Sequence, residues 1–108
     1  MIHDEICTYE VCKLAKEKGF DVPTAKNYRH ENGTTCNAPT QSLLQRWLRE
    51  EKKWNIVVRM YNNEGYYWFI QNSKGELQES YFTYADEMFS TYELALEDAL
   101  KYALENLI

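Results

Sequence analysis

The sequence predicts an α+β domain in which a three-stranded antiparallel meander is packed by two N-terminal helices and one C-terminal helix. Three observations carry the prediction. Apolar residues recur at helical spacing in three separate stretches, near residues 8–18, 40–53 and 92–107. Between the second and third, "NIVVRMY", "YYWFIQN" and "ELQESYFT" are β-branched and aromatic runs divided by turns rich in Asn, Ser and Gly. At 108 residues, 44% hydrophobic and 27% charged, the chain fits one globular domain burying roughly two-thirds of its unfolded surface.

The first helix runs from Asp4 or Thr8 to Lys18, with Cys7, Val11, Leu14 and Ala15 on one stripe. Gly19 supplies a left-handed stop, behind which Phe20 folds back on Ala15. Pro23 then holds Val22 extended. From Thr24 to Pro39 the periodicity disappears. A segment of this length is functional, mobile or built of short strands, and Asn32-Gly33 would be the turn of a small hairpin. In "APTQSLLQRWLREEK" Thr40 caps a second helix that turns Leu43, Leu44, Trp47 and Leu48 to the core. Arg46, Arg49 and Lys53 fall opposite, where cations near the last turn complement the helix dipole.

In the meander, Asn62-Asn63-Glu64-Gly65 is the first turn. Closing it with Tyr61 opposite Tyr66 sets Arg59 opposite Trp68 on one face, and Val58 opposite Phe69 with Met60 opposite Tyr67 on the other. Both faces are then apolar and aromatic. One packs on helices; the other needs a loop, the 24–39 segment or a partner chain as cover. "ELQESYFT" alternates weakly and reads as an edge strand. The last helix starts at a capping box, Ser90-Thr91-Tyr92-Glu93, with Phe89 and Leu94 as its hydrophobic staple. Ala95, Leu96, Ala99, Leu100, Ala103, Leu104 and Leu107 give it a broad apolar face.

Charge is unevenly spread over a net −5: residues 1–53 hold nine Lys/Arg against eight Asp/Glu, and residues 54–108 hold three against nine. Any contact with phosphate must therefore come from the first half. The candidate nucleic-acid patch is Lys26, Arg29, Arg46, Arg49 and Lys53, with Tyr28, His30 and Lys52 beside it. The order helix, three strands, helix is shared with double-stranded-RNA-binding domains, but the start of the last helix, where those domains carry basic residues, is acidic here. The candidate protein-interaction face is Arg59, Tyr61, Tyr66 and Trp68, with Tyr enrichment suited to an interface or to self-association.

Cys7, Cys12 and Cys36 are odd in number and lack close pairing, which fits reduced thiols of a cytoplasmic protein. Cys7 and Cys12, five apart on a helix, would point in different directions, so no metal site is expected. His30 and Cys36 are the one nucleophile pair to consider, and no orienting third group or motif accompanies them. The four glycines are scattered, leaving no phosphate-binding loop and no cofactor motif. No apolar run approaches the roughly 20 residues of a membrane span. The expectation is a non-enzymatic protein.

"TYEVCKLAKEKGFDVP", "APTQSLLQRWLRE" and "FSTYELALEDALKYALENLI", about half the chain together, resemble a group of small proteins carried by phages, prophages and mobile elements of gut bacteria. That resemblance implies a soluble α+β accessory protein from a phage-like genome and brings no catalytic residue with it. Segment 24–37 is shorter here than the aromatic-rich stretch such proteins often carry.

Overall fold

The computed structural model describes residues 5–29, 33, 35–61, 65–81 and 88–108, with 77–81 described through their backbone. Helix α1 spans Tyr9–Glu17, α2 spans Gln41–Glu51 and α3 spans Tyr92–Asn106. Strands β1 (Asn27–Arg29) and β2 (Thr35–Asn37) form a small antiparallel sheet inside the stretch without periodicity. A second sheet has the order β3 (Asn55–Tyr61), β4 (Gly65–Gln71), β5 (Leu77–Tyr81). The β3–β4 ladder is regular throughout, whereas β4–β5 pairing shifts between Ile70 and Gln71.

Each helix begins at a threonine whose hydroxyl accepts from a backbone N–H three residues on: Thr8 from Val11, Thr40 from Leu43 and Thr91 from Leu94. Thr91, not Ser90, is thus the cap of α3. With Thr91 as cap, Leu94 instead of a glutamate stands at the third helical position, so the expected box and staple are not formed, and Leu94 is 53% exposed rather than packed. At α1 the stop is as anticipated. Gly19 has φ +100°, Phe20 N–H donates to Ala15 O at 2.9 Å, and Phe20 buries its ring edge-on to Trp47 at 5.3 Å.

Cys7 lies just before the Thr8 cap, outside the helix, so the wheel that separated it from Cys12 does not apply. The two are the halves of a staple across the first turns of α1. Both are buried, and Cys12 Sγ–H donates to Cys7 O at 3.5 Å.

The core is made by α1, α2 and α3 with one face of the large sheet: Val11, Ala15, Leu44, Trp47, Leu48, Ile56, Trp68, Ile70, Leu100 and Leu104 are among its members. Small residues of α3 (Ala95, Ala99, Ala103) are fully buried and let the helix lie close. One carboxylate ties the three helices together. Glu97 on α3 accepts from Thr8 N–H (2.8 Å) and Thr8 Oγ1–H (2.7 Å) at the start of α1, and from Gln41 Nε2 (2.8 Å) at the start of α2. Gln41 also donates to Glu93 O at 2.9 Å, which accounts for a polar side chain only 4% exposed.

Candidate binding surface

Strand alternation divides β3 and β4 into two faces. Ile56, Val58 and Met60 stand opposite Ile70, Trp68 and Tyr66 on the helix-covered face. Asn55, Val57, Arg59 and Tyr61 stand opposite Gln71, Phe69, Tyr67 and Gly65 on the other. This is one residue away from the register anticipated from the turn, because β4 begins at Gly65 and pairs it with Tyr61. Gly65 is required there: a Cβ would sit 2.8 Å from Met88 Cβ and 2.9 Å from Phe89 O, where Tyr66 and Phe89 exchange two backbone hydrogen bonds.

The shift redistributes the anticipated interaction face. Arg59 and Tyr61 stay on the sheet's outer side, but Tyr66 and Trp68 turn inward. Trp68 is 2% exposed, stacks obliquely on Tyr102 at 5.3 Å and donates its indole N–H to Asp98 Oδ2 at 2.9 Å. Tyr66 meets Tyr92 edge-on at 6.2 Å. Their places outside are taken by Tyr67 and Phe69, to which periodicity gave no preference.

On this outer face no described side chain is buried. Tyr67 and Phe69 neighbour each other with ring centres 6.3 Å apart. The Arg59 guanidinium lies over Phe69 at 5.2 Å, so its plane and charge are both presented beside the rings. Tyr61 extends the row and is 37% exposed. Asn55 and Gln71 end it, joined by a hydrogen bond of 3.3 Å.

The same amide pair forms one wall of a cleft of about 350 Å³. Arg49 and Lys53 beside the end of α2, with Asn72, Ser73 and Gly75 of the β4–β5 turn, complete its lining. Among the described residues no carboxylate lines it. Lys53 has φ 65°, the left-handed conformation that a side chain disfavours, and its Nζ donates to Glu50 O at 2.8 Å. Of the proposed nucleic-acid patch, Arg49 and Lys53 therefore meet at this cleft. Arg46 is engaged by Glu50 at 2.8 Å on the exposed side of α2. Lys26 and Arg29 belong with the β1–β2 sheet, which packs on α1, and His30 lies outside the described residues.

All three thiols are buried. Cys36 is buried and its pKa is pushed up by that burial. Cys7 is pushed up further by its hydrogen bond with the Cys12 thiol and by desolvation. Among the described residues no group of three or more His, Cys, Asp or Glu is placed to hold a metal ion, and no helix is long and apolar enough to cross a membrane. A comparison with known protein families, curated proteins and solved structures found no match to this chain.

Proposed function

We propose that the protein is a non-catalytic accessory module of a phage or mobile element, built on a three-stranded meander, that binds through the outer face of β3 and β4. One observation supports this most. The core is packed on the helix side, yet half-buried Val57, Tyr67 and Phe69 and exposed Arg59 form a second apolar and cationic surface with none of its described side chains fully buried. Aromatic and arginine side chains presented together are the composition of a contact surface, whereas a purely solvated sheet face would be polar.

The test is whether folding needs this face. Tyr61→Thr and Phe69→Thr keep β-propensity while removing the rings. If the face is a binding surface, each costs less than about 1 kcal/mol in urea unfolding, as surface changes do. Losses of about 3 kcal/mol, typical of aromatic residues in an interior, would mean that the face is part of the core and would remove the proposal. Light scattering at several concentrations then separates a second copy from a different partner, because self-association through this face must weaken in the Tyr61→Thr chain.

A further inference from the structure

We infer that the ligand of the outer face is single-stranded nucleic acid, its bases lying on Phe69, Tyr67, Tyr61 and the Arg59 guanidinium, with a backbone phosphate in the cleft between Arg49 and Lys53. The inference rests on the binding-surface reading above. It is carried by continuity: Asn55 and Gln71 belong both to the aromatic face and to the cleft wall, so planar groups and cations form one surface. A ligand that alternates π-faces with anionic charge matches both parts at once. The amide pair between them offers donors and acceptors to base edges. A duplex would hide its base faces from the rings, so the strand must be single.

Charge favours the same occupant. The described side chains of this face and cleft include Arg59, Arg49 and Lys53 and no carboxylate, on a protein of net charge −5. The C-terminal end of α2 opposes an anion through its dipole. Lys53 Nζ on Glu50 O and the backbone N–H groups of Lys52 and Trp54 on Leu48 O satisfy carbonyls there and blunt that opposition. Lys53 also occupies a left-handed position that glycine would fill without strain, so folding alone does not select lysine at this site.

The experiment is fluorescence anisotropy of a short labelled single-stranded oligonucleotide at 50 and 200 mM salt. The one phosphate neutralised in the cleft gives a salt exponent of about −0.7, so the affinity should fall roughly 2.6-fold between those salts. Lys53→Gly, which relieves backbone strain and so keeps the fold, should weaken binding at least fivefold. Arg49→Ser and Tyr61→Ala should each do the same, while Lys13→Glu, a charge reversal on exposed α1, should change it less than twofold. No binding at 50 mM salt would overturn the inference. Equal loss in Lys13→Glu, equal binding of blunt duplex, or equal binding of a polyglutamate peptide would overturn it too. The unfolding of Tyr61→Thr and Phe69→Thr separates the two levels: if those changes are silent and no strand binds, the face is open but its ligand is something else.

Discussion

Glu97 gives the sharpest test of how the helices are held. Replacing it with alanine removes the acceptor for three hydrogen bonds of 2.7–2.8 Å that reach the starts of α1 and α2. Thr8 is exposed, so water replaces its lost partners and each bond costs about 0.5–1 kcal/mol. Gln41 is 4% exposed, and losing a charged acceptor there costs about 1–2 kcal/mol, even though Glu93 O still receives one of its protons. A term opposes these. Glu5 and Glu93 line the same cleft as Glu97, and relieving their repulsion returns a few tenths of a kcal/mol, as for other exposed pairs. The hydrogen bonds win, and Glu97→Ala should cost about 2–4 kcal/mol in urea unfolding at neutral pH. Glu97→Gln keeps the shape and one carbonyl acceptor and should cost about half as much. The double-mutant cycle with Gln41→Ala should show a coupling of about 1 kcal/mol. A cost below about 0.5 kcal/mol, or a gain in stability for Glu97→Gln, would show that repulsion dominates and that the carboxylate does not fasten the helices.

Three further outcomes follow from the geometry. Gly65→Ala drives a methyl into Met88 and Phe89 O and should cost about 1–3 kcal/mol, read by thermal or urea unfolding. Lys53→Gly removes left-handed strain and should leave stability unchanged or raise it by up to about 1 kcal/mol, although Glu50 O then gives up its ammonium donor to water. One thiol contributes to an alkaline limit. Burial raises the Cys36 pKa above its ordinary 9.0, so above pH 9 the unfolded chain releases a proton that the folded chain retains. The contribution of this thiol is therefore full below pH 9 and falls above it, by up to about 1.4 kcal/mol per pH unit. Cys36→Ala should flatten that fall in a pH series of urea midpoints, after allowance for its own packing cost.

The helices were legible in the sequence because two independent signals coincide in each: apolar spacing of 3.6 and a hydroxyl ready to cap. Where two hydroxyls compete, as at Ser90 and Thr91, spacing alone does not choose, and the structure uses Thr91. Cys7 was misplaced for a related reason. A helical wheel assumes that the residue is already helical, whereas the chain turns at Thr8 and brings Cys7 back over Cys12. The β3–β4 register was not legible, because both faces of "YYWFIQN" are aromatic. A one-residue slip exchanges Tyr66 and Trp68 for Tyr67 and Phe69, and hydropathy cannot tell these sets apart. The close approach of Met88 to Gly65 fixes the choice, and that contact is remote in sequence. The cleft was half visible. Arg49 and Lys53 were recognisable as cations near a helix end, but Gln71 and the β4–β5 turn, which complete the lining, are remote in sequence.

The buried side of the sheet also bears on why the other side is aromatic. Ile56, Trp68 and Ile70 meet the helices and are each no more than 2% exposed, so folding is served by that face. A sheet face left to water is best filled by threonine, charged residues or isolated valines, which keep strand propensity without inviting association. Here it carries Val57, Tyr61, Tyr67 and Phe69 in neighbouring ranks, with Arg59 laid on a ring instead of extended to a carboxylate. Strand propensity explains any one of these aromatics. It does not explain why the described side chains of the face hold a cation and no acid, in a chain whose second half has three acidic residues for each basic one. Solubility alone would have set acids there. The absence of acids among the described side chains of this ring-bearing face is the feature a binding role accounts for and a purely structural role does not.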